Sequence, residues 1–246
     1  MDKTNPATSI KLHSPRVYNH DTKHMAHDTL RSLLSPHERR LFERLTSPQL
    51  IQDYLDRLPI NFELHHETYM SPRRVIRSKT AHCFEGALFA ATVLMYHGQR
   101  PLLMDLRTTK SDQDHVVALY RFNGYWGAIS KTNHASLRYR DPLYQNIREL
   151  ALSYAHEYFL SNGKKTFRAY SCVFDVSPYA LHTWLTAEDE LVWLVDALDN
   201  ARHFPIAPKK NMRKLRNVSP LERTVGERTE WRRNGTKRPL RDNRED

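Results

Sequence analysis

Cys83 and, later in the chain, His115 are the residues whose types and placement suit nucleophilic chemistry. Cys83 stands in Thr80-Ala81-His82-Cys83-Phe84-Glu85-Gly86-Ala87-Leu88, where a single cysteine opens a long apolar stretch. Leu88, Ala91, Leu94 and Met95 recur at helical spacing, and Gly98 falls where a left-handed cap would end the helix. A cysteine in the first helical turn meets unpaired backbone N–H groups and the positive end of the helix dipole. Both favour the thiolate, the form that attacks carbon. Free cysteine is also a common small core hydrophobe, so the chemical reading requires a base. His115 follows the polar loop Thr108–Gln113 and starts an apolar run, a place both rigid and reachable. Its imidazole can take a thiol proton near neutral pH and return it to a leaving group. The bland alternative is a histidine that only hydrogen-bonds at a strand end.

The elements that must hold these two residues follow from local chemistry. Ser35-Pro36, Ser47-Pro48 and Ser71-Pro72 each place a serine N-cap before a proline at the first helical position. They predict helices from Pro36 to about Leu45 and from Pro48 to about Leu58, and a short turn from Pro72 to about Arg77. After the Cys83 helix the period becomes that of strands. Pro101–Arg107 reads as one strand, and 114–122 and 125–132 flank Asn123-Gly124, a two-residue hairpin turn. That turn sets Phe122 opposite Tyr125, Leu119 opposite Ala128 and His115 opposite Thr132. Alternation then places His115, Trp126, Ser130 and Thr132 on one face, and the latter three are candidates to line a cleft. A helix is expected from Asn146 to about Leu160, a strand over Phe167–Val176 with Cys172 in the core, and a last helix from Ala187 to about Asn200. Helices preceding a largely antiparallel meander predict an α+β fold.

With these elements in place, the stretch from about Pro72 to Pro142 resembles the transglutaminase-like superfamily, the cysteine-nucleophile branch of the papain-like fold. The likeness rests on Cys83 opening an apolar helix with Glu85 and Ala87 after it, and on the exit through Gly98 into Pro101-Leu102-Leu103-Met104. It continues in His115-Val116-Val117-Ala118-Leu119-Tyr120 and the Gly124-Tyr125-Trp126 turn. It implies a nucleophile helix packed on the sheet, Cys83 as nucleophile, His115 as base and an acid on the next strand. The position where such an acid is expected holds Ser130 and Lys131. Asp141, in Tyr139-Arg140-Asp141-Pro142, resembles the family's frequent Asp-Pro ending and is the expected third member of a catalytic triad. Asn133 is the alternative, orienting the ring as asparagine does in papain-like proteases. The resemblance implies a hydrolase or acyltransferase that forms an acyl-enzyme on a peptide, protein or small amide, with no cofactor. Its counterpart is a catalytically silent binding module of the same fold.

Composition bounds the rest. Of 246 residues 39% are apolar, which suffices for one domain, and no apolar run reaches membrane-spanning length. Met1–Ile10 lacks the apolar segment of a secretory signal, and two cysteines give no disulfide framework, so a cytoplasmic setting is expected. No metal is expected: His13, His20, His24 and His27 lack paired ligand spacing, and His65-His66-Glu67 lacks a second pair. The net charge of +10 is uneven, since residues 209–246 hold 13 Lys and Arg against 6 Asp and Glu. The expected organisation is an irregular arm over 1–24, the domain over 25–208 and a weakly ordered basic extension over 209–246. That extension is suited to contact with nucleic acid or another polyanion.

Overall fold

The computed structural model describes residues 28–239, so the expected arm over 1–24 and His13, His20, His24 and His27 lie outside the described residues. Residues 28–33 form α1. The Ser-Pro starts then act as capping chemistry requires. The Ser35 hydroxyl accepts from the Glu38 N–H at 3.2 Å while the Glu38 carboxylate accepts from the Ser35 N–H at 2.7 Å, launching α2 (Pro36–Arg44). Ser47 caps α3 (Pro48–Arg57) and Ser71 caps α4 (Pro72–Ser78). Lys79 adopts the left-handed conformation (φ 55°) after α4 and turns the chain toward α5 (Cys83–Tyr96). In α5 every residue from Phe84 to Tyr96 is buried, as an all-round apolar helix must be.

The sheet is antiparallel throughout and runs β4-β3-β2-β1-β5-β7, with the short β6 also paired to β1. Its strands are β1 (Leu102–Arg107), β2 (His115–Phe122), β3 (Tyr125–Ser130), β4 (Arg140–Tyr144), β5 (Ala169–Ser171), β6 (Phe174–Asp175) and β7 (His203–Pro205). Asn123 (φ 48°) and Gly124 (φ 88°) take the two left-handed positions of the β2–β3 turn. The register is the one that turn dictates, with Phe122 opposite Tyr125, Leu119 opposite Ala128 and Val117 opposite Ser130, but β3 ends at Ser130, so the ladder stops short of the expected His115–Thr132 pair. One core fills the space between the sheet and α5, through Leu103, Ala118 and Ile129 against Phe89 and the helices α2 and α3. A second core covers the other face, joining Met104, Val117 and Leu119 to Leu150, Tyr154 and Phe167. The architecture is α+β, with helices on both faces of an open antiparallel sheet. No described helix is long and apolar enough to cross a membrane.

Several expected elements are shorter. The helix from Asn146 ends early, as α6 (Ile147–Leu152), where Ser153 turns its hydroxyl back to the Leu150 carbonyl at 2.7 Å and takes a bond from Arg140 at 3.0 Å. The 167–176 segment splits into β5 and β6. Cys172 at the break is half-buried rather than a core residue. The helix expected from Ala187 starts later, as α8 (Val192–Asp199), and is preceded by the short α7 (Leu181–Trp184), outside the expected range.

The C-terminal segment departs most. After α9 (Lys209–Met212), Ser219-Pro220-Leu221-Glu222 repeats the capping box and starts α10 (Pro220–Gly226). Val218 and Trp231 are each 7% exposed against the domain. The described part of the expected loose extension is therefore docked, because two apolar anchors and a reciprocal cap offset its ordering entropy.

Candidate active site

Cys83 is the first residue of α5, so its N–H is one of the donors a helix leaves without an intrahelical acceptor. Its thiol is half-buried and hydrogen-bonded to two imidazoles, those of His115 and His82. Burial alone would push the thiol up, but the two hydrogen bonds and the imidazolium charges hold it well below the ordinary thiol range. The effect on His82 is reciprocal. Burial works against its charge, yet the Cys83 sulfur and the Glu85 carboxylate raise it to about 9. His82 Nε2 lies 2.6 Å from the Thr68 carbonyl, which can only accept, so this nitrogen carries a proton.

Glu85 anchors that histidine. It is fully buried and accepts from the His82 N–H at 2.9 Å, Thr68 Oγ1 at 2.9 Å, the Met70 N–H at 3.1 Å and Asn61 Nδ2 at 3.2 Å. Its Oε1 is 3.4 Å from His82 Nε2. A carboxylate so satisfied can stay buried as an anion and supplies the charge that keeps an imidazolium beside the thiol.

His115 is fixed from the other side. Its Nε2 lies 2.8 Å from Ser130 Oγ, and Ser130 Oγ donates its one proton to the Leu137 carbonyl at 2.5 Å. The hydroxyl must then accept from His115, so Nε2 carries a proton and Nδ1 is left for Cys83. Ser130 is itself held through its backbone, since Gln52 accepts from its N–H at 2.9 Å and donates to its carbonyl at 2.8 Å. Leu137 holds a left-handed backbone (φ 60°), which costs an ordinary residue about 1–2 kcal/mol. Its N–H is tied to the Glu157 carboxylate at 2.6 Å, so the carbonyl facing Ser130 is fixed as well.

The neighbouring Lys131 explains how close α5 approaches β3. A Cβ placed on Gly86 would fall 2.4 Å from Lys131 Cβ, so only glycine lets the first turn of α5 pass there. The Lys131 side chain is 1% exposed, and its ammonium donates to the carbonyls of Leu55 (2.8 Å) and Leu58 at the end of α3. Burial lowers it to about 8, although Asp56 and Glu230 oppose the shift.

The other expected site residues lie elsewhere. Asp141 sits exposed on the edge strand β4; the ring nitrogen expected to meet it is engaged by Ser130. Asn133 turns away and exchanges bonds with the backbone of Trp231, at 2.7 Å and 3.2 Å. Thr132 is buried and its hydroxyl accepts from the His134 N–H at 3.1 Å, while Trp126 packs on the second core under Arg121. Of the three residues expected to line a cleft, Ser130 is the one that hydrogen-bonds His115. His65, His66 and Glu67 are exposed, and no group of three metal-ligating side chains occurs among the described residues.

His82 and Glu85 complete the site, and their signal was present in the sequence. A histidine immediately before Cys83, with a glutamate three residues on from that histidine, has capping-box spacing. Tyr158 is a further neighbour. Burial raises its phenol far above the ordinary range, the Cys83 charge adds to that, and its buried hydroxyl has no hydrogen-bond partner among the described residues. Comparison with protein-family models finds no match, and comparison with curated proteins finds none either.

Proposed function

We propose that this protein is a transglutaminase-like thiol enzyme that transfers or hydrolyses an acyl group through Cys83, His115 and Ser130. The observation that carries the reading is the half-buried thiol at the start of α5, set between the imidazoles of His115 and His82, which hold it well below the ordinary thiol range. The Cys83 sulfur attacks an amide carbonyl carbon, forming the C–S bond while the π pair moves to oxygen. The Cys83 N–H is placed to stabilise that oxyanion. Collapse restores the carbonyl and breaks the C–N bond, and His115 Nδ1 gives its proton to the leaving nitrogen. Water or an amine then attacks the thioester, returns a proton to His115 and releases the thiolate. Ser130 holds the ring in the required tautomer, the part the resemblance gives to an acid. Glu85 keeps His82 cationic, so a positive charge remains beside the sulfur when His115 has lost its proton.

The test needs no knowledge of the natural substrate. With p-nitrophenyl acetate, acid-quenched protein should carry one acetyl group on Cys83, with a burst of nitrophenolate. Cys83→Ser and His115→Ala should abolish the burst. Equal acetylation of Cys83 and Cys172, or an unchanged burst in His115→Ala, would refute the assignment.

A further inference from the structure

The segment after α10 has no part in the chemistry above, yet it binds the loop that carries the carbonyl anchoring Ser130. Asn133 Oδ1 accepts from the Trp231 N–H and its Nδ2 donates to the Trp231 carbonyl, while the Asn133 carbonyl accepts from the Glu230 N–H at 2.8 Å. The Ala135 N–H donates to the Arg228 carbonyl at 3.0 Å, and His134 pairs with Thr229 as an isolated bridge. Arg138 closes the loop, reaching the Glu230 carboxylate at 3.0 Å and the His134 carbonyl at 2.9 Å. Leu137, inside this strapped loop, presents its carbonyl to Ser130, and Ser130 holds His115. Trp231 also covers the buried ammonium of Lys131, the residue after Ser130, at 5.9 Å.

We propose that residues 226–237 form a positioning strap for the thiol site, fixing the His115 ring through Asn133, the Leu137 carbonyl and Ser130. The inference rests on the reading of Cys83 and His115 as nucleophile and base. No residue of the strap need touch substrate. Its effect is to keep a strained loop in the one conformation that satisfies the Ser130 hydroxyl from the carbonyl side, and so leaves that oxygen to accept from the ring. Loss of the strap lets Leu137 relax, frees Ser130 to donate to the ring instead and scrambles the tautomer that faces the thiol.

The strap is tested in the full chain by the pH profile of iodoacetamide alkylation at Cys83, read by mass spectrometry. The other group acting on the thiol is His82, whose charge Glu85 supports, and neither is altered; nor is Tyr158 beyond α6, on whose phenol the Cys83 charge acts together with Asp105, Asp112 and Asp114. Asn133→Ala should shift the alkylation midpoint upward by about 0.7 pH unit and slow the reaction below the midpoint about fivefold, as is expected of Ser130→Ala, the change that one lost hydrogen bond implies. The double variant should be no slower than Ser130→Ala, because both act through one route. Glu230→Ala provides a second variant if Asn133→Ala folds poorly, and it should move the midpoint the same way. A lowered melting temperature with a wild-type midpoint in both strap variants would overturn the proposal while leaving the thiol site intact, as would full additivity in the double variant. If His115→Ala leaves the midpoint unmoved, the nucleophile reading itself falls and the strap with it.

Discussion

Lys131→Met should change how stability depends on pH, with a sign and size set by the burial of the Lys131 ammonium. In the folded protein that group is held at about 8 against its ordinary 10.5. Below the folded value both states bind the proton, and stability is flat with respect to this group. Between the two values the unfolded chain binds more protons than the folded one, so stability rises with pH. Wild type should therefore gain on Lys131→Met by about 1 kcal/mol at pH ~9 and about 2–3 kcal/mol at pH ~10. The neutral amine keeps two N–H donors for the Leu55 and Leu58 carbonyls, so deprotonation relieves the buried charge without orphaning the cap. Urea unfolding followed by circular dichroism, run on both proteins from pH ~7 to ~10, reads the difference and cancels all other titrating groups. Parallel stability curves for the two proteins would show that Lys131 is solvated in the fold and that the packing of Gly86 against it has been misread.

Two further changes probe the site. Ser130→Ala removes an anchor of about 1 kcal/mol and should slow Cys83 alkylation roughly fivefold, with Ser130→Thr restoring it and Asp141→Ala leaving the rate alone. A loss in Asp141→Ala equal to that in Ser130→Ala would mean the edge-strand carboxylate reaches the ring after all. Gly86→Ala forces a Cβ to within 2.4 Å of Lys131 Cβ, part of a buried stem with no freedom to swing aside. It should cost about 1–3 kcal/mol in urea unfolding and slow Cys83 alkylation through the displaced helix start, whereas unchanged stability would show that the contact is soft.

Local chemistry made much of this legible in advance. The Ser-Pro caps, the Asn123-Gly124 turn and the continuous apolar face of α5 each carry their own structural reason within a few residues. They sufficed to place Cys83 at a helix start and Ser130 on the face of His115. What escaped was decided across long sequence distances. Ser130 lacks the carboxylate that the resemblance leads one to expect at its position. Its competence comes from Leu137, Glu157 and Gln52, none of which its own strand reveals. Nothing near Lys131 in the sequence marks it as buried; only the approach of Gly86 and the open carbonyls of α3 make a buried ammonium tolerable there. The tail was judged by mean composition, which hides both the cap at Ser219 and the single indole that docks it. The Asp-Pro context points to Asp141, but in the fold that dipeptide lies inside an edge strand, at the irregular register between Arg140 and Tyr144, where proline's missing N–H costs nothing.

The two-residue turn between β2 and β3 has a genetic consequence out of proportion to its exposed position. It is the device that counts residues between His115 and Ser130. An insertion or deletion of one residue at Asn123-Gly124 that moved the register would invert the faces of β3 and bring Ile129 or Lys131 to the imidazole in place of a hydroxyl. Length changes at such a solvent-facing tip are ordinarily among the most tolerated in a protein. Here a frame-preserving codon gain or loss at the far end of the hairpin would behave as a lesion of the imidazole and the thiol beside it, and any selection on that pair would extend to the length of a loop that never approaches it.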